Sequence, residues 1–155
     1  MKPDWSQLFE HHGDDLYRFA YRLSSSREIA EDAVQECFVS CLKSNPLATQ
    51  IRGEMRAYLF GAVRNQVYKA LKRNPQPPEA KPILVQPDQT SEVFAALQQI
   101  PESSREAIVL ICIEGFSYDE AARMLDVEPS ALRVRVHRAR RQLKEALGIE
   151  VNSND

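Results

Sequence analysis

Glycine is scarce in this chain, five residues in 155. With glycine this sparse, no strand-turn-strand signal appears along the chain. Cysteine numbers three, an odd count with no CxxC pair. A disulfide framework is therefore not expected, and the expected compartment is the reducing cytoplasm. Long apolar runs are also missing. The longest, "AIVLICI" (Ala107 to Ile113), falls well short of the ~20 residues a membrane span needs. The opening "MKPDWSQLFEHHGDD" lacks the apolar core of a signal peptide, so no membrane insertion is expected. Catalytic signatures are absent too: no Walker loop, GxSxG or HExxH, and no paired carboxylates in an apolar setting. The chain is not expected to be an enzyme, and no cofactor or bound metal is expected.

What remains is an ordinary globular composition, 43% hydrophobic and 27% charged, able to bury a core. A net charge of −2 would argue against a nucleic-acid partner if the charge were evenly spread. It is not. Residues 50–73 hold six basic and one acidic side chain, and residues 129–147 hold six and one again. The segment between them, 74–128, holds three basic and ten acidic. Local charge governs a phosphate-binding surface, so these two basic segments are the candidates for one.

Proline marks the boundary between two parts. Five of the nine prolines fall in "NPQPPEAKPILVQPDQT" (Asn74 to Thr90). Proline fixes its own φ and drives the preceding residue out of the helical region, so this stretch reads as an extended linker. The expected organisation is a domain at 1–73, a linker at 74–90 and a second domain at 91–155.

Both parts read as helical, and the expected class is all-α. Ala33, Val34, Cys37, Phe38, Cys41 and Leu42 follow a three-and-four spacing, opposite Glu28, Glu31, Asp32, Gln35 and Glu36. Leu59, Ala62, Val63, Val67, Ala70 and Leu71 set a second such helix with a basic exterior. A looser pattern from Trp5 to Leu23 suggests one or two earlier helices, with Gly13 a possible interruption. In the second part a helix is expected from Pro101 to about Glu114. "SYDE" (Ser117 to Glu120) then reads as a capping box opening a short helix. "DVEPS" makes a turn, with Pro129 suited to the first turn of the next helix.

That next helix contains "LRVRVHRARR" (Leu132 to Arg141), whose alternation of arginine and valine imitates a strand. The longer apolar series Leu132, Val136, Ala139, Leu143 and Leu147 steps by four, three, four and four, so the helical reading wins. A short helix, a tight turn and a longer basic helix make a helix-turn-helix, whose second helix enters the DNA major groove. Ser130, Arg133, Val134 and His137 are placed to approach base edges, where an arginine fork suits guanine. Arg138, Arg140, Arg141 and Lys144 are placed to meet phosphates, which fix register without reading sequence.

The second part, "IPESSREAIVLICIEGFSYDEAARMLDVEPSALRVRVHRARRQLKEAL", resembles the promoter-reading C-terminal domain of sigma-70-type RNA polymerase sigma factors, most closely the extracytoplasmic-function group. The first part resembles the family's other domain through "AEDAVQECF" and "RAYLFGAVRN". The resemblance spans nearly the whole chain, with both domains in the family's order. It implies a transcription initiation factor that binds core RNA polymerase (β and β′ subunits) and promoter DNA and is held by an anti-sigma factor. It further implies that Glu31, Asp32, Gln35 and Glu36 dock on the clamp helices of β′. The basic segment with Arg52, Arg56, Arg64, Asn65, Tyr68, Lys69, Lys72 and Arg73 would meet the minus-ten element, and the helix from Ser130 to Lys144 the minus-thirty-five element. Capturing single-stranded DNA also needs aromatic faces. Tyr58, Phe60 and Tyr68 are available, with Tyr58 expected in the core.

The chain departs from the family pattern at four places. Tyr58 stands where the family usually has tryptophan, and Lys69 where it commonly has aspartate. The loop around "IRGEM" is shorter than usual and lacks its leading phenylalanine, so the base preference of that element does not carry over. Asp126 replaces the usual turn glycine, and aspartate tolerates the left-handed conformation.

Two readings compete. Cys37 and Cys41, four apart on one helix and within reach of His11 and His12, outline a metal or redox sensor. Both lie on the apolar stripe, though, where cysteine behaves as a small hydrophobe, and Cys112 inside "VLICI" is expected in the core. A sigma mimic that only titrates an anti-sigma protein, or a plain DNA-binding regulator, is the other. Erosion of the basic surfaces is expected of a mimic, and both are intact here.

Overall fold

The structure is a computed structural model and describes residues 3–44, 54–73 and 92–149. Arg52, the "IRG" loop and the proline-rich stretch at 74–90 lie outside the described residues. The chain divides into two compact units, Met1–Glu79 and Ala80–Asp155. Every regular element among the described residues is helical, as expected for the all-α class.

The first unit packs α1 (Trp5–Ser24), α2 (Arg27–Ser44) and α3 (Met55–Arg73) against one another in all three pairings. Asp4 starts α1 by accepting from the Gln7 N–H at 3.2 Å. The helix then runs without a break through Gly13. Three serines make the corner between α1 and α2. Ser24 Oγ donates back to Ala20 O at 2.8 Å, Ser25 takes the left-handed conformation at φ 50°, and Ser26 Oγ accepts from the Ile29 N–H at 3.2 Å. The hydroxyls of Ser24 and Ser26 thus bond backbone groups at the two helix ends, where partners are otherwise lacking. Phe19 and Phe60, both fully buried, meet at 4.9 Å between ring centroids, and Leu16, Leu23, Leu59, Val63 and Val67 close around them. Phe60 is therefore core and not an aromatic face for DNA. Tyr58, expected inside, is half-buried against Trp5. Leu42, expected on the apolar stripe, is 49% exposed.

The second unit is built on α7 (Pro129–Ala146), which packs against α4 (Glu92–Gln99), α5 (Glu102–Ile108) and α6 (Tyr118–Leu125). Arg105 locks the entry: its guanidinium donates to Leu97 O at 2.7 Å and Ile100 O at 3.1 Å, satisfying carbonyls at the end of α4. The expected helix from Pro101 instead changes pitch. Val109–Ile113 forms a π turn, closed by the Glu114 N–H on Val109 O at 2.9 Å. The extra residue in that turn rotates the chain off the core register. Cys112 consequently emerges exposed, which corrects its expected place in the core, while Val109 and Leu110 stay buried.

The turn chemistry follows the sequence closely. Ser117 Oγ accepts from the Glu120 N–H and Glu120 Oε1 from the Ser117 N–H, both at 3.1 Å, a complete capping box. Asp126 sits left-handed at φ 55°, ψ 49°, and the Val127 N–H returns to Ala122 O at 3.0 Å. Pro129 opens α7, and Leu132, Val136 and Ala139 are buried beneath it. Leu143 and Leu147 continue the series half-buried.

Gly13 carries a cost with no compensating contact. It lies inside α1, and a Cβ added there would meet nothing within 4 Å. Gly13→Ala is expected to stabilise the first unit by about 0.5–1 kcal/mol, read as a higher urea midpoint with an unchanged slope.

Candidate nucleic-acid and polymerase interfaces

Three surfaces carry the residues singled out in the sequence. On α2, Glu31, Asp32, Gln35 and Glu36 are all exposed. Arg27 Nε donates to Glu31 Oε1 at 3.0 Å. Both partners are about half exposed or more, so the pair contributes little. Val39 and Leu42, 37% and 49% exposed, extend the line of Asp32 and Gln35 at steps of four and three. One helix face thus passes from acidic to apolar. The same spacing was visible in the sequence, but Leu42 fits the neighbouring core stripe equally well, and periodicity alone assigned it there.

On α3 the basic residues divide. Arg56 lies 4.7 Å from the centroid of the Phe60 ring, and Arg64 lies 4.8 Å from that of Tyr68. Residues 56, 60, 64 and 68 alternate cation and aromatic at a spacing of four, which brings each guanidinium over the next ring. Arg64 Nη1 also donates to Asn65 Oδ1 at 3.2 Å. Asn65, Lys69, Lys72 and Arg73 are exposed, while Arg56, Arg64 and Tyr68 are partly covered. Seven of the eight residues assigned to this surface are therefore described, in two adjoining groups on one helix. Arg52 lies outside the described residues.

On α7, Ser130, Arg133, Val134, His137, Arg138, Arg140 and Arg141 are exposed and Lys144 is half-exposed. Val134 is 59% exposed, an apolar side chain held out in water. The arginines have distinct environments. Arg133 lies 4.7 Å over the Tyr118 ring, which belongs to the first helix of the helix-turn-helix. Arg140 Nη2 lies 3.5 Å from Cys112 Sγ, a contact the π turn makes possible. Arg135 turns inward to the Glu106 carboxylate at 3.6 Å. Tyr118, Cys112 and Glu106 come from three different elements, and periodicity along α7 gives no signal for any of them.

The proposed sulfur site reads differently in three dimensions. Cys37 and Cys41 are buried in the first unit's core. Burial, reinforced by Cys41, pushes the Cys37 thiol up to about 12. Burial also raises Cys41, opposed by hydrogen bonding with Cys37 and Tyr58. Burial lowers His12, with help from His11 and Arg56 and opposition from Asp15. Among the described residues, no group of three or more His, Cys, Asp or Glu side chains is arranged to hold a metal ion.

Comparison with known proteins finds two family models that match the chain. Residues 8–75 match the family model of sigma-70 region 2 and residues 91–143 that of sigma-70 region 4. The ECF RNA polymerase sigma factor EcfG of Rhodopseudomonas palustris is 33% identical over 87% of this chain and 80% of its own length. This chain belongs to the extracytoplasmic-function sigma factors of the sigma-70 type. The sigma factor SigE of Mycolicibacterium smegmatis is 30% identical over 94% of this chain, which spans 62% of that relative's length. A solved structure of the sigma factor RpoE of Bartonella quintana, in complex with the anti-sigma factor NepR, superposes with a TM-score of 0.75. It is 27% identical and covers 96% of this chain and 99% of its own. The family is a class of transcription factors that bind core RNA polymerase and promoter DNA. No described helix of this sigma factor is long and apolar enough to cross a membrane.

The thiols give a direct test of the π turn. The thiolate is the reactive form, and Cys37, raised to about 12, stays protonated at pH 8. Iodoacetamide at pH 8 is expected to label Cys112 alone in the native protein and all three cysteines after unfolding, by peptide mass spectrometry. Labelling of Cys37 as fast as Cys112 would contradict the packing described.

Proposed function

We propose that this sigma factor divides its work among the three surfaces, as a cytoplasmic initiation factor with no chemistry or cofactor of its own. The first domain, 1–73, docks on core polymerase through the α2 face carrying Glu31, Asp32, Gln35 and Glu36, and Val39 with Leu42 extends that contact with apolar area. The same domain meets the minus-ten element with Arg52, Arg56, Arg64, Asn65, Tyr68, Lys69, Lys72 and Arg73. Exposed Lys69, Lys72 and Arg73 suit the phosphate backbone, and the Arg64–Tyr68 pair offers a cationic, aromatic surface to unstacked bases. The second domain, 91–155, lays α7 in the major groove at the minus-thirty-five element. There Ser130, Arg133, Val134 and His137 approach base edges, and Arg138, Arg140, Arg141 and Lys144 hold phosphates. Val134, too apolar to gain anything from water, suits a thymine methyl group. The stretch at 74–90 tethers two readers of one duplex, so binding by the first raises the effective concentration of the second.

One observation carries this reading: a row of exposed guanidinium groups on the second helix of a capped helix-turn-helix. The RpoE relative solved with NepR supports a further element, an anti-sigma partner that holds this chain inactive. The deciding experiment is transcription reconstituted with core polymerase over a promoter library. Enrichment of a bipartite sequence is expected. Core binding without any transcript would identify a decoy and overturn the proposal.

Two variants separate the surfaces. Arg133→Ala is expected to lower promoter-specific transcription at least fivefold, the loss of about 1–3 kcal/mol in a bidentate base contact, with core polymerase affinity unchanged. Asp32→Ala combined with Gln35→Ala is expected to weaken core binding by about tenfold, or roughly 1.4 kcal/mol, in a fluorescence titration. Its thermal melt should match the parent's.

A further inference from the structure

We infer that Arg135 is a positioning residue of the recognition helix and not a DNA ligand: its ion pair with Glu106 sets the roll of α7 and hence the aim of the base-reading side chains. This rests on the reading of α7 as the minus-thirty-five helix. The Glu106 side chain is 7% exposed and the Arg135 side chain 28%, with Arg135 Nη1 3.6 Å from Glu106 Oε1. A carboxylate so thoroughly removed from water needs a cationic or hydrogen-bonding partner. One such partner, Arg135, comes from the helix whose other arginines are exposed.

Helical geometry explains why position 135 is the one used. Side chains two apart point to opposite sides of a helix, so Arg135 cannot share a face with Arg133 and His137. It falls beside Val136 and Ala139, at the edge of the buried stripe. The contact surface of α7 there is Leu132, Val136 and Ala139, three aliphatic side chains of modest size. Apolar attraction is non-directional, and such a stripe tolerates rotation of the helix about its axis. A roll of about 10° moves an atom roughly 6 Å from the axis by roughly 1 Å, while a binding constellation has to be held within about 0.5 Å. An ion pair anchored on a second helix resists that rotation. The arginines of "VRVHRARR" are therefore not equivalent, although the sequence presents them as one basic cluster.

The test uses holoenzyme reconstituted from core polymerase and the full chain, with a duplex selected by the wild-type holoenzyme from a pool randomised at the minus-thirty-five element. Affinity is measured against salt for wild type, Arg135→Gln, Arg135→Lys and Arg138→Gln. Each phosphate contact contributes about 0.9 to the slope of log K against log salt. Arg138→Gln should become shallower by about that amount, and Arg135→Gln should keep the wild-type slope. Discrimination between the selected duplex and one scrambled at the minus-thirty-five element should fall at least fivefold in Arg135→Gln. It should recover in Arg135→Lys, which restores the cation opposite Glu106. Should Arg135→Gln melt below the assay temperature, Glu106→Gln with Arg135→Gln leaves no uncompensated buried carboxylate and carries the same slope comparison. A slope that falls in Arg135→Gln as it does in Arg138→Gln makes Arg135 a phosphate ligand and overturns the inference. Unchanged discrimination in a folded Arg135→Gln overturns it as well. A wild-type holoenzyme that selects no sequence overturns the reading of α7, and this inference with it.

Discussion

A helix that turns a row of guanidinium groups out to solvent has only a narrow strip left with which to hold its place in a protein. In α7 the fully buried part of that strip is Leu132, Val136 and Ala139, and the rest of the second unit is organised around its limits. The capping box at Ser117 and Glu120 fixes where α6 begins, and the left-handed Asp126 fixes the angle at which the chain leaves it. Arg105 ties off α4, so that α5 enters at a defined position beneath α7. Directional contacts take over where apolar area is thin.

The same economy appears in the arginines. A free arginine side chain has many rotamers, and ordering it on any partner costs conformational entropy. Arg133 over Tyr118 and Arg140 beside Cys112 are restrained by their own domain, as are Arg56 over Phe60 and Arg64 over Tyr68 in the first unit. Cation–π contact at an exposed site is worth only about 0.5–1 kcal/mol, weak enough to be displaced yet sufficient to bias orientation. Pre-ordering of this kind lowers the cost of binding without withdrawing the charge from solvent.

Much of the second unit was legible in the sequence because its signals are local. Ser117, Glu120, Asp126 and Pro129 each act within one turn of the chain, and each has the conformation its chemistry predicts. The strand-like alternation of Arg133 to Val136 gave way to a helical series extending over four turns. Misreadings cluster where two periodicities overlap or where pitch changes. Phe60 belongs to both the core and the Arg56–Phe60–Arg64–Tyr68 line, and Leu42 to both the core stripe and the exposed line of Asp32, Gln35 and Val39. Cys112 sits in an apolar run that a uniform helix would bury, and the π turn brings it out. At Gly13 the sequence left open one helix or two, and α1 runs through it unbroken.

The sequence by itself determined the helical class, the two-part organisation and the concentration of positive charge in two segments, because composition, capping and periodicity are properties of residues near one another in the chain. It also carried enough of both sigma-70 regions for the family to be recognised. Tertiary structure decided which neighbour each basic side chain meets. Helical spacing alone sets Arg135 at the flank of the buried stripe, but Glu106 is far from it in the chain and adjacent only once α5 packs against α7, so no spacing rule could name its partner. The partner of a charge is set by packing between elements, and that is information a linear pattern does not contain.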